Sequence, residues 1–299
     1  MTDETLPSPL PGDDSSVTRQ PKGWTSWLVP TVALCWSLFQ LAVASLWTLD
    51  SLVVRAVHLA FALALAYWAL PMLRPGGKRL AGLRRLDQLP WYDLLLGLVA
   101  AGAAAYLVVD YQEIMRRPGN PILRDLIIGL GLVVLLLEAA RRSIGPAISL
   151  VAMAFCTYCF ASEWLPTVLA TKQISLNRFV SQITLGAEGI YGTPLDVSAH
   201  VVFLFVLLGA LLERTGAGRF FIELALSLLG GFRGGPAKAA VVGSGLTGLV
   251  SGSSIANIVT TGTFTIPLMK KVGYPAHKAA AIEVAASIDG QLMPPIMGA

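Results

Sequence analysis

The chain has 299 residues, of which 55% are hydrophobic and only 13% charged, and its mean hydropathy is +0.66. Soluble domains carry about 25% charged residues, so a water-soluble globular enzyme is excluded and an all-α, polytopic membrane protein is expected. The formal net charge of +4 comes from Lys and Arg in short loops, which report orientation in a bilayer and not nucleic-acid binding.

Residues 1–26 are polar, with Asp3, Glu4, Asp13 and Asp14, and read as a disordered cytoplasmic tail. The first apolar run starts too late, and is too long, for a cleaved signal. Residues 27–47 and 52–73 are the first two spans, with Trp24, Trp27 and Trp47 at interfacial depth. His58 reads as an interior, hydrogen-bonded residue. The loop 74–90 holds Arg74, Lys78, Arg79, Arg84 and Arg85 against Asp87, which makes it cytoplasmic and places the N-terminus inside. Residues 91–109, rich in Ala and Gly, are a third span suited to close packing. Residues 125–140 are a fourth, returning to the inside at Arg141-Arg142, and 144–165 a fifth. The three cysteines, Cys35, Cys156 and Cys159, lie in apolar runs. The C-x-x-C spacing of the last two lacks further zinc ligands, so buried inert thiols are expected.

Residues 167–198 are less apolar and read as an interfacial helix plus loop. Residues 197–212 are the next span. Residues 219–230 are too short to cross and read as an amphipathic arm along the cytoplasmic surface. Glu138, Glu213 and Glu283 are placed at helix ends, where snorkelling or interface pairing is the default.

The richest stretch is 236–271, PAKAAVVGSGLTGLVSGSSIANIVTTGTFTIPLMKK. Two apolar runs of roughly 13–15 residues, about 20–22 Å of helix each, flank the polar centre Ser251-Gly252-Ser253-Ser254-Ile255-Ala256-Asn257 and fall short of the ~30 Å hydrocarbon core. Arg233 and Lys238 lie at one outer end, Lys270 and Lys271 at the other, so both ends belong on the cytoplasmic face. The pattern predicts a re-entrant helical hairpin; the alternative is one continuous helix of about 34 residues whose small residues only allow close packing. Non-helical backbone at membrane depth is tolerated beside a polar cavity. There, hydroxyls, the Asn257 amide and unwound carbonyls would bind a hard cation, and the next half-helix start an anionic group. Residues 276–287 predict a helix broken at Gly290 and Pro294-Pro295, bringing Ser287, Asp289, Gly290 and Gln291 to the depth of the tip. An intramembrane serine protease would need a base near the serines, and none of His58, His200 and His277 is expected at tip depth. The unfinished break at residue 299 predicts the N-terminal part of a longer protein. A non-transporting scaffold or truncated gene product is the competing reading.

The run SGSSIANIVTTGTFTIPLMKKVGYPAHKAAAIEVAAS, with GQLMPPIMGA after it and LGALLERTGAGRFFIELALSLLGGFRGGPAKAAVV before it, resembles the membrane component of TRAP transporters, the tripartite ATP-independent periplasmic transporters. PWYD at 90–93 and LEAARRSIG at 137–145 resemble the small four-helix subunit fused ahead of the large one, as in the TAXI-type branch. The resemblance implies a scaffold domain over 27–143 and the N-terminal part of the transport domain over 144–299, in an incomplete elevator-type transporter. It implies a multi-pass protein of the bacterial inner membrane, sodium-coupled uptake of a small organic anion, commonly a carboxylate, and delivery by a periplasmic substrate-binding protein. Membrane lipid is the other expected partner; nucleic acid, enzymatic activity, and a cofactor or metal other than sodium are not expected. By resemblance the hairpin tip is Ser251, Gly252, Ser253, Ser254, Ala256 and Asn257, the following polar turn Thr260, Thr261 and Gly262, and the broken-helix loop Gly290, Gln291, Pro294 and Pro295. Ile288-Asp289 stands where the family usually has a small residue and Gly, a departure at the cation shell. No second hairpin follows, and without one the chain is not expected to transport.

Overall fold

The computed structural model describes Arg19 and residues 25–72, 89–161, 174–252 and 254–294. Among the described residues every regular element is a helix, and the protein is an all-α polytopic membrane protein. Among them, four helices are long and apolar enough to cross a bilayer: α1 (Thr25–Ser45), α2 (Ser51–Ala69), α3 (Trp91–Val109) and the run Thr193–Leu212. Then come α4 (Tyr111–Arg116), α5 (Leu123–Ser143), α6 (Pro146–Phe160) and α7 (Leu176–Thr184). The run Thr193–Leu212 joins α8 (Thr193–Val197), a π-helical turn (Ser198–Val202) and the first part of α9 (Phe203–Arg214). The chain ends with α10 (Ala217–Leu229), α11 (Gly235–Ser251), α12 (Ser254–Lys271), α13 (Ala276–Ser287) and a 3-10 turn (Ile288–Gln291).

The expected fourth span corresponds to α5, which is as long as α1 but charged at both ends, with Asp125 in its first turn and Arg141 and Arg142 in its last. The expected fifth span is seen as α6 alone, 15 residues long; positions 162–165, the basic loop residues 74–88, and 167–173 lie outside the described residues. The expected tail is described at Arg19, which is buried and paired, and α1 begins at Thr25.

The chain divides into two compact units after Asp196, and in the first of them α6 packs on α5. In the first unit α2 and α3 are most closely paired, because Gly97 admits the Trp68 ring: a Cβ there would stand 2.4 Å from its Nε1. Helix starts follow local chemistry. The Asp50 carboxylate accepts from Leu52 N (2.8 Å) ahead of α2, and the Asp125 carboxylate from Ile122 N (3.0 Å) at α5. Tyr67 and Tyr191 donate to the carbonyls of Leu135 (2.8 Å) and Ala104 (3.0 Å). His58 is buried with Gln40 and Trp36 against its Nδ1, an interior hydrogen-bonded residue.

PWYD and LEAARRSIG, distant in sequence, meet here. Asp93 lies between Arg142 (2.8 Å) and Arg19 (2.5 Å), and all three side chains are buried. Arg142 also bonds Glu138 at 2.8 Å and lies over the Tyr67 ring. The three cysteines are free thiols, but none is buried: Cys156 and Cys159 are half-buried, and Cys35 is exposed, because α1 buries little of its surface.

In the second unit α10 packs along α11, with Ile222 and Ala225 against Gly243, and Gly218 approaches Thr260 of α12. The short arm thus buries one face in protein. Its apolar stripe is matched by Gly243 on α11.

Candidate functional site

Helix α11 starts where Gly234 takes a left-handed conformation (φ 72°) and Pro236 sits in the first turn, the favoured chemistry for a helix start. It ends at Gly252, again left-handed (φ 60°), which an L side chain adopts only with strain. The chain then reverses into α12. Ala240 and Met269 share a buried cluster, and Tyr274 lies against Gly234, so α11 and α12 lie antiparallel. One continuous helix is excluded; the element is a helical hairpin of 17 and 18 residues, roughly 25–27 Å per arm.

Near the turn, Asn257 is completely buried. Its Nδ2 donates to the Ser244 carbonyl (3.0 Å) and the Ser244 hydroxyl (2.8 Å) on α11. A backbone carbonyl can only accept, so the amide orientation is fixed, and among the described residues Oδ1 is left buried without a hydrogen-bond partner. The Ser244 hydroxyl thus faces an amide donor and not a base, which argues against a serine nucleophile there.

Down the same face of α12 follow Thr261 and Thr265, both buried. Both hydroxyls reach the carboxylate of Glu283 on α13, and Ser287 Oγ approaches the same carboxylate at 3.4 Å. Glu283 is fully buried in the interior of α13, not at a helix end, which corrects the expectation of snorkelling or interface pairing. Gly262 makes room for it: a Cβ there would stand 3.2 Å from Glu283 Cγ. The helix break is present as the 3-10 turn Ile288–Gln291, packed on α11 where a Cβ on Gly248 would stand 2.9 Å from Gly290 Cα.

Of the expected site residues, Asn257, Thr261, Gly262, Ser287 and Gly290 are buried in this interface. Gly252 makes the turn, Ser254 starts α12, and Thr260 lies against α10. Asp289 is half-buried, while Gln291 and Pro294 are exposed. Ser251 closes α11; Ser253 and Pro295 lie outside the described residues. Sequence reasoning missed Ser244, Thr265 and Glu283. The available signal was spacing: Asn257, Thr261 and Thr265, like Glu283 and Ser287, recur every four residues on one helix face.

Residues 131–299 match the family of the tripartite ATP-independent periplasmic transporter, DctM component. The chain belongs to this TRAP permease family. Among similar proteins, a putative TRAP transporter large permease protein of Haemophilus influenzae is 31% identical over 122 residues, 41% of this chain and 28% of that one. The C4-dicarboxylate TRAP transporter large permease protein DctM of Pseudomonas aeruginosa is 36% identical over 104 residues, 33% of this chain and 24% of that one. The isethionate TRAP transporter permease protein DctMQ of Oleidesulfovibrio alaskensis is 31% identical over 114 residues, 34% of this chain and 18% of that one. The matches thus span about a quarter of these TRAP permeases' lengths. No solved structure matches the chain.

Proposed function

We propose that the protein is the N-terminal portion of a fused, TAXI-type TRAP permease of the bacterial inner membrane, with a cytoplasmic N-terminus. It takes up a small organic anion, delivered by a periplasmic binding protein and driven by sodium. The first four spans serve as scaffold, and the hairpin unit travels as the elevator. The hairpin is re-entrant: each arm is shorter than the ~30 Å hydrocarbon core, and Lys270 and Lys271 close the last turn of α12. The substrate class is inferred from the TRAP relatives, whose names specify C4-dicarboxylate and isethionate.

The observation that carries this reading is Asn257 Oδ1. It is a buried acceptor with no donor among the described residues, close to a backbone break where a hard cation finds oxygen ligands. On this reading Ser251, Gly252, Ser253, Ser254, Asn257, Thr260, Thr261 and Gly262 hold the cation and substrate from one side, and Ser287, Asp289, Gly290, Gln291 and Pro294 from the other. The N–H groups opening α12 receive the substrate's anionic group. The test uses the full-length permease in proteoliposomes with its binding protein. Asn257→Ala is expected to abolish sodium-dependent uptake while membrane insertion persists; wild-type uptake in that variant removes the tip from the mechanism. Single cysteines replacing Arg233 and Lys271 are expected to label from the same, cytoplasmic side, and labelling from opposite sides ends the re-entrant reading.

A further inference from the structure

The network around Asp93 carries more positive charge than it neutralises. Three guanidinium groups, of Arg19, Arg141 and Arg142, meet two carboxylates, of Asp93 and Glu138. Among the described residues one positive charge is left over, and it falls to Arg19. Arg142 holds Asp93 and Glu138 at once, and Arg141 holds Glu138 through two nitrogens. Arg19 reaches Asp93 through Nη2 alone, and that carboxylate is already shared with Arg142.

Arg19 is held in place by its own backbone, whose N–H donates to the Ala69 carbonyl at the end of α2 (2.8 Å). Its side chain is 4% exposed. Its Nε and Nη1 are buried and have no hydrogen-bond partner among the described residues, so the Asp93 contact leaves two of the three nitrogens unused. A water can take up such donors but not the charge; an anion does both.

The position of the site selects the anion. Trp27 at the start of α1, and Trp91 and Tyr92 at the start of α3, are exposed at this end of the first unit. Trp and Tyr at the ends of spanning helices mark the headgroup level of a bilayer. The anion abundant at that depth is the phosphodiester of a lipid, which the planar guanidinium matches in shape as well as charge. Basic pockets between helix ends take up anionic headgroups in this way, and the single charge of a phosphodiester equals the surplus.

We propose that Arg19 binds the phosphate of an anionic phospholipid where α2 ends and α3 begins, so that a lipid completes the buried charge network. The site depends on the protein's membrane class and not on the transport reading.

The experiment follows thermal unfolding of the delipidated full-length permease in an uncharged detergent, titrated with phosphatidylglycerol or with inorganic phosphate at constant ionic strength. Phosphatidylglycerol is expected to raise the wild-type midpoint, and inorganic phosphate to leave it unchanged. In Arg19→Gln the half-saturating phosphatidylglycerol concentration is expected to rise about tenfold or more, the effect of losing one charge-assisted contact. Arg19→Lys, which keeps the charge and loses the fork, is expected to raise it by a smaller factor. Arg116→Gln, which removes an exposed charge paired with Glu113, is expected to keep the wild-type value. Inorganic phosphate acting at the lipid's concentrations keeps an anion at Arg19 and overturns the lipid as its source. Wild-type half-saturation in Arg19→Gln, an equal rise in Arg116→Gln, or a wild type indifferent to both ligands overturns the site.

Discussion

Replacing Asp93 with Ala tests whether the scaffold is held by a buried charge network or by apolar packing alone. Asp93 is fully buried between Arg142, also fully buried, and Arg19, whose side chain is 4% exposed. Removing the carboxylate from such a pair typically costs about 3–5 kcal/mol, because charge is left uncompensated in a dry site. Here the lower end applies. Arg142 keeps Glu138 at 2.8 Å and the Tyr67 ring at 4.6 Å, so of the two cations only Arg19 loses its carboxylate. Asp93→Ala is therefore expected to destabilise by about 3 kcal/mol. Arg19→Ala leaves Asp93 paired with Arg142 and is expected to lose only about 1 kcal/mol. The assay is unfolding of the detergent-solubilised protein followed by tryptophan fluorescence, with Trp68 as a nearby reporter. If Arg19→Ala proved as damaging as Asp93→Ala, or Asp93→Ala lost less than ~1 kcal/mol, the network would be solvated and the reasoning wrong.

Gly97→Ala places a methyl 2.4 Å from Trp68 Nε1 and 2.9 Å from its Cδ1. A destabilisation of about 1–3 kcal/mol is expected, with a shift in tryptophan emission as the ring is displaced. Gly248→Ala meets backbone, at 2.9 Å from Gly290 Cα and 3.1 Å from the Asp289 carbonyl, which cannot rotate away. It is expected to loosen the 3-10 turn, seen as faster amide exchange over 288–293, and to lower uptake by the full-length protein; unchanged exchange would mean that α11 and the turn are not in contact.

The membrane class, most spans and the hairpin's fold-back were legible because they follow from coarse signals. These are apolar run length, basic flanks, and a glycine where two short arms must reverse. The charge network was not legible. Arg141-Arg142 reads from sequence as a loop marker, yet Arg142 turns inward to a carboxylate 49 positions away, and nothing local announces that partner. Arg19 was obscured in the same way, by a polar tail whose composition argues for disorder. The short arm α10 read as a surface helix because it is too brief to cross, while its buried face depends on Gly243 of α11, supplied by a different segment.

The candidate site shows the same limit in more detail. Sequence reasoning looked at the tip, where glycine and serine cluster, and the structure does put the backbone break there. The buried side-chain chemistry extends one to two turns further down. Thr261 and Thr265 back-bond to the carbonyls of Asn257 and Thr261 on their own helix, which a reader of α12 alone takes as a complete account of both hydroxyls. Only the approach of α13 across Gly262 sets Glu283 against them and makes the protons contested. In its own helix the acid is marked only by Ser287, one turn on; its sequence neighbours are Ile282 and Val284. A buried carboxylate in a chain of this class is therefore best sought by pairing faces. Where hydroxyls or amides recur every four residues on one helix, and a glycine among them permits close approach, an acid on the neighbouring helix is drawn into the interface, because those donors offset much of its loss of water.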